Sequence, residues 1–97
     1  MKSYCKKETV IRKESINESG AAYRYELILS EGNDTASYGI QLYEIKAEAE
    51  IDGRRTAYRS GGLFSNKEKA FRFFNKIIEN RATPLSIPYI IEDSFSF

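Results

Sequence analysis

The chain contains no histidine, a single cysteine and only two prolines among its 97 residues. Without an imidazole, no Ser-His-Asp or Cys-His arrangement can take a proton from a nucleophile. With one thiol and no imidazole, a four-ligand zinc site cannot be gathered from one copy. One cysteine also excludes an internal disulfide, and a lone thiol suits a reducing compartment. No apolar run approaches the roughly 20 residues of a membrane-spanning helix. The opening MKSYCKKETV carries lysines with no apolar stretch after them, so a secretory signal is not expected. These absences predict a cytoplasmic protein without membrane contact. There is no Walker A loop, no G-x-G-x-x-G fingerprint, no internal repeat and no low-complexity tract.

What is present suits one globular domain spanning residues 1–97. The hydrophobic fraction is 41% and the charged fraction 30%, an ordinary balance for a folded chain. Seven Tyr and six Phe supply much of the apolar bulk, and each can bury about 150–250 Å². Net charge is +1, but unevenly spread. Residues 1–13 hold five bases and one acid; residues 14–53 hold two bases and nine acids. Residues 54–81 hold eight bases and two acids, and residues 82–97 hold two acids. Folding can interleave such blocks as paired strands, and that is the favoured reading.

The first half alternates with a period near two and the second half shifts to the helical period. Residues 4–14 suit a polar edge strand whose lysines discourage aggregation, and INESG at 16–20 is turn material. In AYRYELILS, 22–30, Tyr23, Tyr25, Leu27 and Leu29 share one face, as in a half-buried strand. EGNDTAS, 31–37, reads as a loop.

Residues 38–51 and 54–60 read as a hairpin around Asp52-Gly53, because both central positions of such a turn must tolerate positive φ. A two-residue loop sets the register. Glu50 falls opposite Arg55, Glu48 opposite Ala57, and Lys46 opposite Arg59. Ile45, Ala47, Ala49 and Ile51 join Thr56 and Tyr58 on the other face. Ile40 and Leu42 conflict in parity with Tyr43 and Ile45, which requires either coverage on both faces or a bulge near Tyr43.

Residues 66–80 predict a helix. Ser65 with Glu68 fits a capping box. Ala70, Phe71, Phe73, Phe74, Ile77 and Ile78 form its apolar stripe, and Asn80 suits a left-handed end. In the tail, Pro88 can open a short helix with Ile87, Ile90, Ile91 and Phe95 on its apolar side; a short strand competes. The expected fold is therefore α+β: an antiparallel meander of about four strands on one amphipathic helix, with a short C-terminal helix or strand.

SYGIQL at 37–42, the second hairpin strand, the single helix and PLSIPYIIEDSF at 84–95 together resemble a family of small uncharacterised bacterial proteins. It is a domain of unknown function of about one hundred residues, met mostly in anaerobic Gram-positive bacteria. The matching positions are Tyr38, Gly39, Ile40, Pro84, Leu85, Ile91, Glu92 and Asp93. The chain departs from the family at Arg59-Ser60-Gly61-Gly62, where an acidic turn without glycine is expected. The resemblance implies a cytoplasmic location and an accessory or regulatory role, and brings no activity.

Four basic residues form the candidate anion site: Arg54, Arg55, Arg59 and Lys67, beside the Gly61-Gly62 join and a helix N-terminus. The competing reading is a strand-to-helix corner, which needs glycines for its own geometry. It is favoured, because a capping box already satisfies the helix's free N–H groups and Glu68 repels an anion. Cys5 beside Lys6 and Lys7, and the carboxylates Glu48, Glu50, Asp52, Glu92 and Asp93, read as structural or solvated groups. No catalytic residue, cofactor or metal is expected.

Three readings of function follow. A non-enzymatic interaction module ranks first, with a protein partner or self-association as a homodimer. Sheet edges and the terminal Phe95 and Phe97 motivate it. Polyanion binding, to nucleic acid or phosphate, through Arg54, Arg55, Arg59 and Lys67 is the alternative. An enzyme using carboxylates or Tyr ranks last.

Overall fold

Alternating apolar residues in the first half and a helical stripe in the second produce two layers. The computed structural model describes residues 5–33 and 40–94, with side chains described over 8–31 and 41–93. Strands β1 (Cys5–Glu18), β2 (Ala21–Asn33), β3 (Ile40–Ile51) and β4 (Arg54–Arg59) form one antiparallel sheet in that order. Helices α1 (Lys67–Glu79) and α2 (Ile87–Ser94) follow. The fold is thus the expected α+β meander, and the tail forms a helix rather than a strand. The molecule is thin and long, 49 × 34 × 19 Å.

The Asp52-Gly53 turn has φ of 52° and 79°, the double positive φ that its residue pair favours. It sets the expected register: Glu50 opposite Arg55, Glu48 opposite Ala57 and Lys46 opposite Arg59. Tyr25, Leu27, Ile45 and Ala47 therefore face α1 and are buried, joined by Ala70, Phe73, Phe74 and Ile77 of the helix. Tyr58 packs half-buried on this same side. Helix α1 lies over β2 and β3. Arg12 of β1 sits 5.5 Å and 5.8 Å from the ring centres of Phe71 and Phe74, closing the flank of the core.

Several expectations change. The first strand runs on through Glu18, so only Ser19-Gly20 of the expected 16–20 turn is a turn. The second strand runs to Asn33. No register shift occurs between β2 and β3, so no bulge near Tyr43 resolves the parity conflict. Both faces are covered instead: Ile28, Ser30 and Glu44 are buried on the helix-free side. The sheet's irregularity lies in β1, where Ile11 is extra between Val10 and Arg12.

The helix cap also moves by one residue. Asn66, not Ser65, caps α1, its Oδ1 accepting from the Lys69 N–H at 3.0 Å. At the other end Arg81, not Asn80, takes the left-handed conformation, with φ of 51°. The Arg81 N–H donates to Ile78 O and the Ala82 N–H to Ile77 O, the bonding of a Schellman ending. Asn80 contributes through its side chain, donating to Lys76 O at 2.9 Å. Arg81 also donates from Nε to Glu18 at 3.1 Å, tying the helix end to β1.

Candidate interaction surfaces

The join between β4 and α1 is a continuation of the sheet. After Arg59 the chain bulges outward and returns. The Ser60 N–H donates to Ile45 O at 2.9 Å, while the Ile45 N–H donates to Ser60 Oγ at 3.0 Å. The hydroxyl thus replaces a backbone acceptor in the ladder. Pairing resumes at Phe64, whose carbonyl accepts from the Tyr43 N–H at 2.7 Å. Gly61 has φ of 72°, a region that costs a side chain about 1–2 kcal/mol. Gly62 lies flat on Leu42: a Cβ there would stand 2.7 Å from Leu42 Cδ1 and 3.0 Å from its Cβ. Both glycines thus have a steric reason within the fold.

The four basic residues of the candidate anion site do not share one surface. Alternation along β4 places Arg55 and Arg59 on the helix-free face and Arg54 on the opposite face. Arg55 is exposed and stands 3.6 Å from Glu50. Arg59 is held between two carboxylates: its Nε donates to Glu44 and its Nη2 donates to Glu8 at 2.6 Å. The hydrogen bonds to Glu44 and then Glu8 raise its pKa further above the usual guanidinium value. Lys67 sits in the first turn of α1, 5.7 Å from the Phe71 ring centre.

Glu44 is buried, so Arg59 is the counter-charge for an otherwise dry carboxylate. Glu8 lies on β1, two strands beyond β3, and the contact spans 51 residues of sequence. The bridge lies over the Ile28 and Ser30 positions, which explains their burial on the side away from α1. Sequence reading missed Glu44 and Glu8 as partners. A carboxylate at 44, sharing its face with Leu42, was the available signal.

Further along the same face, Arg24 stands 3.6 Å from Glu48. With Glu50, Arg55 and the small floor residues Ala22 and Ala57, this pair lines a shallow groove of about 460 Å³. Its charges are already matched in sign. Asp52 lies exposed in the hairpin turn. Cys5 opens β1, and its side chain lies outside the described residues, as do Phe95 and Phe97. Among the described residues, no group of three or more thiols or carboxylates converges to hold a metal ion. No helix among them is long and apolar enough to cross a membrane.

Two features remain open to solvent. The first is on α2. Thr83 and Ser86 cap the turn that leads into it: the Ser86 N–H donates to Thr83 Oγ1 at 3.3 Å and the Thr83 N–H donates to Ser86 Oγ at 3.1 Å. Ile87 is buried beneath this turn, and Ile90 and Ile91 pack beside it. The opposite side presents Leu85 and Tyr89, 69% and 73% exposed. They lie one helical turn apart, and Glu92 and Asp93 are exposed next to them. Counting the helical phase from Pro84 would have found this pair. The second feature is β1 itself, a 14-residue strand at the edge of the sheet.

No curated protein and no solved structure matches the chain. A family model does, over residues 6–96, so its span includes the Arg59–Gly62 stretch where the chain departs from the expected turn. The chain belongs to DUF6514, a family of unknown function.

Proposed function

We propose that this protein is a non-enzymatic interaction module of the cytoplasm, acting by binding another protein or a second copy of itself. The observation that carries this reading is the joint exposure of Leu85, in the turn before α2, and Tyr89 on α2. Two large apolar side chains, one on the entry turn and one on the short helix, keep an unfavourable contact with water, which a partner removes. Glu92 and Asp93 beside them give the patch an acidic rim, the layout of an apolar centre within a polar surround. The polyanion reading draws less support. Its arginines divide between two faces of β4, and Arg59 is engaged by two carboxylates.

The test compares the wild-type chain with the Leu85→Glu/Tyr89→Glu variant, both checked for folding by circular dichroism. Sedimentation velocity reads self-association, and affinity capture followed by mass spectrometry reads partners. Loss of a specific partner or of the dimer in the variant is the expected result. A wild-type chain that stays monomeric and captures nothing overturns the reading.

A further inference from the structure

Leu85 and Tyr89 offer apolar contact to many partners, and the charges beside them decide which one fits. The last turn of α2 carries Glu92 and Asp93 and no base. These acids stand three and four residues after Tyr89, so the helical repeat brings them to the side of α2 that bears its ring. Tyr89, Glu92 and Asp93 line one shallow hollow together with Ser86 and Ile90. Leu85 precedes Tyr89 by one turn. The exposed surface therefore passes from apolar to acidic along the helix.

The two carboxylates are badly placed for a chain on its own. The carbonyl end of a helix is the negative end of its dipole, where a cation stabilises and an anion does not. Among the described residues, neither Glu92 nor Asp93 enters an ion pair. The nearest base along the chain, Arg81, is engaged with Glu18. On the sheet, by contrast, Glu44, Glu48 and Glu50 each face an arginine.

A second copy docked through the same face brings two more carboxylates and no base, so it adds repulsion at the helix end. A segment with Lys or Arg one helical turn from an apolar side chain does the reverse. It covers Leu85 and Tyr89 and supplies the missing counter-charge in one contact.

We propose that α2 docks a cationic amphipathic segment of another protein, with apolar side chains on Leu85 and Tyr89 and Lys or Arg on Glu92 and Asp93. The proposal rests on the interaction reading above, whose site it shares, and names the chemistry of the partner. The chain's net charge is only +1 and of the wrong sign to attract a cation, so the selectivity is local.

The experiment is fluorescence anisotropy on the full chain with two labelled helical peptides. One is built from Leu and Lys, and the other has every Lys replaced by Glu. Four proteins are compared: the wild type, Leu85→Ser/Tyr89→Ser, Glu92→Gln/Asp93→Asn, and Glu68→Gln/Glu79→Gln. The last removes the same charge from exposed positions on α1. The wild type is expected to bind the Lys peptide and not the Glu peptide. Changing either the apolar or the acidic pair should raise the dissociation constant about tenfold or more, and the α1 control should stay within about twofold. Glu92→Gln/Asp93→Asn should melt no lower than the wild type, because the helix end loses two adverse charges.

A wild type that binds neither peptide, or both equally, overturns the proposal. An equal loss in the α1 control does so too, since binding then follows net charge alone. If Glu92→Gln/Asp93→Asn binds like the wild type while Leu85→Ser/Tyr89→Ser does not, the cationic partner is overturned and the interaction reading stands. Binding indifferent to both variants overturns this site for either purpose. Self-association that Glu92→Gln/Asp93→Asn abolishes makes a second copy the occupant and overturns the proposal as stated.

Discussion

The hydroxyl of Tyr25, on β2, donates to the carbonyl of Ala82, in the loop between α1 and α2, at 2.7 Å. Fifty-seven residues of sequence separate them, and the bond locks the helical layer to the sheet at a fully buried ring. Burial, then the neighbouring Tyr23, pushes the Tyr25 pKa up to about 12 from an ordinary 10. The neutral form is thus the folded form. Stability from this group is complete below pH 10 and declines as pH rises from 10 through 12, because the unfolded chain loses the proton first. The loss is on the order of 2–3 kcal/mol. Tyr25→Phe should cost about 1–2 kcal/mol at neutral pH by leaving the Ala82 carbonyl unpaired. Urea unfolding at several pH values checks both: the difference between wild type and variant should shrink above pH 10.

Arg59→Ala strands the Glu44 carboxylate in a dry site. Because Arg59 is itself half-exposed, the cost should fall below that of a fully buried pair, roughly 2–3 kcal/mol. Glu8→Gln acts on an exposed partner and should cost under about 1 kcal/mol. Combining Arg59→Ala with Glu44→Leu should recover most of the loss. Equal effects from the Arg59 and Glu8 variants in urea melts would contradict this account of the triad.

Gly62→Ala should cost about 1–3 kcal/mol, since the added methyl meets Leu42 at two atoms. Replacing Leu42 with Ala should cost stability by itself yet remove most of the penalty at position 62. A double-mutant cycle measures that coupling, and additive effects would count against the contact.

Asn66→Ala should destabilise by about 1 kcal/mol by removing the acceptor for the Lys69 N–H. Ser65→Ala should stay within about 0.5 kcal/mol, as a surface change away from the cap. Thermal melts of the two variants separate the cap from its neighbour in sequence.

Local rules were legible where the chemistry was local. Asp52-Gly53 announces its turn because few residue pairs accept positive φ twice, and the turn then dictates every pairing from Glu50–Arg55 to Lys46–Arg59. Phe73, Phe74 and Ile77 declare the helix and its buried side through spacing alone. The cap slipped by one residue because Ser65 and Asn66 are both competent acceptors, and only the approach of the chain from Phe64 chooses between them. Arg81 took the left-handed position where Asn80 has the better intrinsic preference, and its bond to Glu18 comes from a distant strand.

The alternating and helical periods determined the two layers and the face that α1 covers, and the Asp52-Gly53 turn the hairpin register, because each depends on neighbours within a few residues. The tertiary structure alone decided that Glu44 is buried, that Arg59 reaches Glu8, that Ile11 breaks the phase of β1, and that Leu85 and Tyr89 stay in water. Those outcomes depend on how a twisted sheet brings strands far apart in sequence together, and no pattern of period two or 3.6 carries that distance.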